Sequence, residues 1–285
     1  MHQVDWKSPA EVLEKLIQHE AVHAIDGWDD LRRRLQPDRR CFAFFHPQLP
    51  SEPLIFVEVA LLPEIPTVIT PLVDKKAETV DQASQYKVAV FYSISNCEPG
   101  LRGVSMGNFL IKRVAEQLHA EFPGIKTFVT LSPIPGFMDW VAAGANLGEG
   151  VPADRLKPNL KVARDAALAV LKLESQSWSE RLAGGWHPDL ASEKEKAALL
   201  SLASMYLGLA STGRDGNPVA KFHLGNGAKL HLVNWAGDLS RKGLRQSAGL
   251  MVNYLYDLGS VEDNHERFAN GEIVYSRAVG RLMAP

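Results

Sequence analysis

Apolar residues fall into two kinds of spacing along this chain, and the switches between them outline its elements. Val12, Leu13, Leu16, Ile17 and Ala21 recur every three to four positions, which places them on one face of a helix over residues 9–25. Ser8 is positioned as its N-cap, Pro9 suits its first turn, and Asp26-Gly27 closes it. A second helix is predicted over 28–35, stopped by Pro37. Four short apolar runs, at 41–46, 54–62, 87–95 and 126–131, read as strands. Between the last two, Leu110, Ile111, Val114 and Leu118 mark a helix over 107–122. The stretch from 155 to 212 is rich in Ala, Leu, Lys and Glu and reads as helical throughout. Asn226-Gly227 is a tight-turn dipeptide, so 220–224 and 229–235 are predicted as the arms of a β-hairpin. A last helix is predicted over 249–258. Strands, a helical block, then strands again give an α/β (α+β) fold with a helical insertion around 155–212.

Composition narrows the functions this fold can serve. A chain of 285 residues, 46% hydrophobic and 22% charged, allows one large domain or two smaller ones. Lys+Arg 31 against Asp+Glu 33 gives a net charge of −2 and excludes a globally basic nucleic-acid binder. Cys41 and Cys97 are too few for a disulfide framework or a four-cysteine zinc site. The segment from Met1 to Pro9 lacks the apolar core of a signal peptide, and the most apolar run, 54–62, is interrupted by Glu58 and too short to span a bilayer. The expectation is a cytoplasmic protein without nucleic-acid or membrane partners.

Several segments carry candidate chemistry. A strand, a glycine-containing loop and a helix follow one another across 88–122, and the loop includes Arg102-Gly103-Val104-Ser105-Met106-Gly107-Asn108. Free N–H groups at such a helix start attract an anion. The loop is neither a Walker A sequence nor a G-x-G-x-x-G fingerprint. It partly matches the Arg/Gln-x-x-Gly-x-Gly/Ala loop with which GNAT acyltransferases cradle the CoA pyrophosphate, and it also reads as an ordinary βα turn. Ser132, between Leu131 and Pro133, stands where the next strand runs out, and the prolines at 133 and 135 make that turn stiff. His223, flanked by Phe222 and Leu224, is either a structural histidine or a proton-transfer group. His19-Glu20-Ala21-Val22-His23 matches H-E-x-x-H, but Asp26 occupies the glycine position of the longer metzincin motif and no segment announces a third ligand. An exposed helix end accounts for it better than zinc. Arg32, Arg33, Arg34, Arg39 and Arg40 form a charge run that reads as a solvated face, with an anionic cofactor as the alternative.

In combination these segments resemble the malonyl-CoA decarboxylase family. The resemblance rests on 38–42, 91–95, 103–114, 131–137, 222–226, Asn234-Trp235 and 249–254, and runs from about residue 20 to near the carboxyl end. It implies a GNAT-like acyl-CoA fold over 21–285, with 1–20 as a short helical remnant of the family's amino-terminal domain. It also implies a lyase of fatty acid metabolism that converts malonyl-CoA to acetyl-CoA and CO2, with CoA entering as part of the substrate and neither a metal nor a prosthetic group. The family's catalytic serine falls on Ser132, its catalytic histidine on His223, and a tyrosine near the acyl group on Tyr256. Residues 102–108 fall on the CoA loop, where animal relatives carry a glutamate at the position of Ser105. The same residues also suit acyl transfer from CoA to an amine, such as a hydroxylated ornithine in siderophore biosynthesis. The helical domain that serves subunit association in the family leaves a homo-oligomer as a further expectation.

Overall fold

A computed structural model describes residues 1–76, 82–101, 107–147, 158–173, 175–213 and 216–283; for residues 107–109 only the backbone is described. The chain divides into two units, Met1–Leu131 and Ser132–Pro285.

The first unit runs β1 (His2–Val4), α1 (Ala10–His19), α2 (Gly27–Arg34), β2 (Arg39–His46), β3 (Leu49–Leu62), α3 (Thr70–Val73), β4 (Val88–Asn96), α4 (Gly107–Glu121) and β5 (Thr127–Thr130). Its sheet has the order β1-β2-β3-β4-β5. The first three pairings are antiparallel, whereas β4 and β5 are parallel and joined through α4. Ile55, Phe56, Val57, Val59, Ala60 and Leu61 are all buried. A strand covered on both faces loses its polar alternation, which is why β3 reads as one continuous apolar run. Val12, Leu13 and Leu16 of α1 share a core with Val4, Cys41, Ala43 and Phe56, each buried Val, Leu or Phe contributing about 1.5–3 kcal/mol of transfer free energy. In the β3–β4 pairing Glu58 faces Ser93 and Val59 faces Phe91, so Tyr92 is the extra residue of a β-bulge.

Three expectations for this unit change. The first helix stops at His19, six residues early, and Ala21 is exposed. Glu20 turns to an extended backbone, and its carboxylate accepts the N–H groups of Val22 (2.8 Å) and His23 (2.9 Å); a side chain that captures the amides two and three residues on removes them from the helical ladder. The strand β1, unmarked by any periodicity, forms by pairing with β2. The arginine run is a solvated face only in part: Arg32 is exposed and Arg40 half-buried, but the other three are not. Arg33, Arg34 and Arg39 are buried beside the buried carboxylates of Asp30, Asp38 and Glu58. Asp38 accepts from Arg33 at 2.8 and 3.1 Å and from Arg39 at 2.7 Å, while Arg34 reaches Asp30 at 3.0 Å and Glu58 at 2.8 Å. Only paired charges can be buried in this way.

The second unit runs β6 (Ser132–Pro133), α5 (Phe137–Ala142), α6 (Pro158–Leu171), α7 (Trp178–Ala183), α8 (Glu193–Gly208), α9 (Pro218–Gly225), β7 (Lys229–Asn234), α10 (Arg241–Ser247), β8 (Met251–Tyr256), α11 (Val261–Ala269) and α12 (Arg277–Met283). The α/β class holds, and the helical block is present as α6, α7 and α8. A Ser192–Glu195 capping box opens α8, which is buried from Leu202 through Gly208 and packs against α6 and α12. Among the described residues no helix is long and apolar enough to cross a membrane.

Two elements here differ from the sequence expectation. Residues 220–224 are helical: Asn217 accepts the N–H of Ala220 at 2.8 Å as the cap of α9, and Pro218 occupies its first position. Gly225-Asn226-Gly227 therefore ends a helix and makes no hairpin. Gly227 has φ +79°, and a Cβ there would sit 2.1 Å from the Val261 carbonyl oxygen, so the chain passes too close for any side chain. Residues 251–256 are the strand β8 in place of a helix. It pairs antiparallel with β6 along one edge and with β7 along the other. Burial along most of its length makes its apolar run compatible with either periodicity.

Candidate active site

The register of the second unit's sheet determines which side chains can meet. Ser132 on β6 lies directly opposite Val252 on β8. Side chains on a strand alternate between faces, and directly opposed residues share a face. Ser132 therefore projects on the same side as Val252, Tyr254 and Tyr256. The helix α9 places His223 there as well. The imidazole stacks on Tyr254 with centroids 4.8 Å apart and planes at 27°. Its Nε2 lies 3.3 Å from Ser132 Oγ, and its Nδ1 lies 2.8 Å from the Tyr256 hydroxyl. Ser132 and His223 are each 5% exposed and Tyr256 4%. Three residues separated by as many as 124 positions (132 to 256) thus form one hydrogen-bonded line.

Burial sets the electrostatics of this line. Desolvation in the buried site pulls the His223 imidazole down to about 3. Burial raises the Tyr256 phenol well above its ordinary range, with a smaller push from Tyr254. At neutral pH the line is therefore uncharged: a neutral imidazole with one donor and one acceptor nitrogen, between two hydroxyls that can each give or take a proton.

The neutral imidazole has a thermodynamic signature. An unfolded chain protonates His223 as pH falls through 6.5, whereas the folded chain resists until about 3. The stabilisation contributed by the neutral form is fully present above 6.5 and is lost below it, at up to about 1.4 kcal/mol per pH unit. Urea unfolding at pH 7.5 and 5 should show stability dropping more in the wild type than in His223→Gln, which lacks the titrating group. Equal drops in the two proteins would mean that the folded imidazole ionises normally.

Of the other expected site residues, Arg102, Gly103, Val104, Ser105 and Met106 lie outside the described residues. Gly107 and Asn108 are described by backbone only, as the opening of α4, which follows β4 after its end at Asn96. The H-E-x-x-H match does not form a helical pair of imidazoles. Its first histidine is the last residue of α1, and the remainder lies beyond the helix. Glu20, expected on an exposed helix end, is buried, with its carboxylate accepting from Ser93 at 2.7 Å and Ser95 at 3.2 Å.

The sequence profile of the malonyl-CoA decarboxylase C-terminal domain matches residues 1–285. The chain belongs to that family. It is 39% identical over 278 residues to a protein named malonyl-CoA decarboxylase, mitochondrial, from Anser anser anser, covering 93% of this chain and 53% of the relative. The rat protein of the same name is 40% identical over 278 residues, covering 93% and 54%. The chain thus spans about half the length of these curated relatives. Among solved structures, malonyl-CoA decarboxylase from Agrobacterium vitis aligns over 100% of this chain and 67% of its own, with TM-score 0.78 and 45% identity. The Cupriavidus metallidurans structure aligns over 99% and 66%, with TM-score 0.75 and 41% identity.

Around the serine–histidine–tyrosine line of this family member stand residues that sequence reading passed over. Tyr254 carries the stacking contact to His223, and a buried Asn234 donates to Asn253 at 2.7 Å, joining β7 to β8. Asn217 has a legible signal in Asn-Pro, a cap followed by a helix-starting proline. Tyr254 has one only once β8 is known to be a strand, because then it and Tyr256 share a face.

Proposed function

We propose that this chain decarboxylates malonyl-CoA to acetyl-CoA and CO2, and that Ser132, His223 and Tyr256 form its proton-handling line. The observation that carries this reading is the buried, uncharged hydrogen-bonded line in a chain of this family. Decarboxylation breaks the bond between the carboxylate carbon and the α-carbon. Its electron pair stays behind as an enolate, with the charge on the thioester oxygen, and the α-carbon must then take a proton. With Tyr256 donating to Nδ1, the imidazole proton sits on Nε2 and points at Ser132 Oγ, so the serine hydroxyl can direct its own proton to the substrate. A donor aimed at the developing oxyanion is worth about 3–4 kcal/mol. Protonation of carbon draws on the serine proton, His223 replaces it from Nε2 while Tyr256 gives a proton to Nδ1, and a water returns a proton to the tyrosine oxygen and leaves as hydroxide. No charged intermediate has to be buried at His223.

The CoA-binding role of Arg102–Asn108 belongs to the same proposal, as does a GNAT-like acyl-CoA fold for the catalytic domain over 21–285 that follows a lead of 1–20. The parallel β4–α4–β5 crossover supports the loop assignment, because it sets the start of α4 just beyond a strand's carboxyl end, where ligands of such sheets bind. A cytoplasmic location is supported by two cysteines that are both free thiols.

The test is incubation of the purified chain with malonyl-CoA alone. CO2 and acetyl-CoA should appear in equal amounts without an acceptor. Turnover that begins only when an amine is added would replace decarboxylation with acyl transfer.

A further inference from the structure

Beyond the β6–β8 pairing and the α9 ladder, neighbouring side chains grip the backbone on both sides of the Ser132–His223 contact. The segment after Ser132 contains Pro133 and Pro135, which have no N–H to donate. Its carbonyl groups are therefore the main handles by which neighbouring elements can grip it. Pro135 O is gripped by the side-chain amide of Asn217 (Nδ2, 2.8 Å) and by the Tyr206 hydroxyl (3.4 Å). Those two donors engage the carbonyl's two lone pairs. Asn217 is fully buried, and its other amide atom, Oδ1, accepts the Ala220 N–H at 2.8 Å, capping the helix that carries His223 one turn later. One side chain thus links the serine segment to the first turn of the histidine helix.

We propose that Asn217, assisted by Tyr206, is a positioning residue that holds the Ser132 segment at hydrogen-bonding distance from His223. The assignment rests on the Ser132–His223 reading above. It goes beyond helix capping because the two halves of the amide have separable jobs. The oxygen caps α9, a task serine performs about as well as asparagine. The nitrogen grips Pro135, a task a serine hydroxyl is too short to take over.

Asn217→Ser in the full chain separates the two jobs. The variant should melt with the wild type, because its cap is kept. Its kcat should fall by about 10- to 100-fold with KM for malonyl-CoA unchanged, the scale expected when reacting groups are displaced by about an ångström. Tyr206→Phe should lower kcat in the same way, and the double variant should be less than multiplicative, since both donors hold one carbonyl. Asn217→Ala should lose melting temperature as well as kcat. A wild-type kcat in Asn217→Ser would overturn the proposal and leave Asn217 as a cap. Crystal structures of the wild type and Asn217→Ser supply a readout independent of turnover. A widened Ser132 Oγ–His223 Nε2 distance supports the positioning role, and an unchanged distance refutes it. Should the wild type fail to decarboxylate malonyl-CoA, the proposed reaction falls while this distance still decides the role of Asn217.

Discussion

Ser132→Ala and His223→Ala should each lower kcat for malonyl-CoA decarboxylation by about 10²–10⁴-fold, the range for losing a positioned proton-transfer group. KM should change far less, because the line acts on charge and protons that develop after binding. The double variant should be little worse than the poorer single one. In the proposed line Ser132 passes a proton that His223 replaces across a 3.3 Å contact, and residues that act as one unit are not additive. Tyr256→Phe should give a smaller loss: it removes the 2.8 Å partner of Nδ1 and with it the preference for a proton on Nε2, but leaves the serine and the imidazole in place. Steady-state rates for the four variants, with melting curves to confirm folding, check the set. Losses that multiply between Ser132 and His223 would show that the two act independently.

Asp38→Asn should lower the free energy of unfolding by about 3–5 kcal/mol, the cost of removing one partner from a buried ion pair. Asp38 is 2% exposed and is the shared acceptor of Arg33 and Arg39, themselves 3% exposed each. Guanidinium groups do not shed their proton in proteins, so both cations would stay charged in the core without this carboxylate. The deficit should therefore be the same at pH 6 and pH 8 in urea unfolding. A loss below about 1 kcal/mol would place the cluster with ordinary surface pairs.

The arginine cluster shows where sequence reading stopped. Five arginines within nine residues look like a solvated face, because most charge runs are. Arg33, Arg34 and Arg39 are buried all the same: Asp30 and Asp38 are near them in sequence, but Glu58 arrives from β3, 24 positions from Arg34, a pairing no local spacing encodes. Much else was local enough to be read directly. The four apolar strand runs of the first unit and the periodic helix between the last two each appear at the expected place, with β3 beginning five residues early. The helical block likewise follows from composition.

The errors of element type fall on segments whose neighbours decide their state. Residues 220–224 could serve as a strand beside an Asn-Gly turn or as a helix behind an Asn-Pro cap, and the capped helix formed. Residues 251–256 could be a buried helix or a central strand, and pairing with β6 and β7 along both edges made them a strand.

The sequence by itself determined the α/β class, the family, and the candidate serine, histidine and tyrosine, because residue types, short-range periodicity and family motifs are written in order along the chain. Only the tertiary structure decided how those three meet. The Ser132–Val252 register selects the face, the i, i+2 alternation of β8 brings Tyr254 and Tyr256 onto it, and the Asn217 cap aims α9 so that His223 lies between serine and tyrosine. These are contacts across 91 and 33 positions; their cost in chain entropy is met by cooperative burial, and no local pattern carries that term.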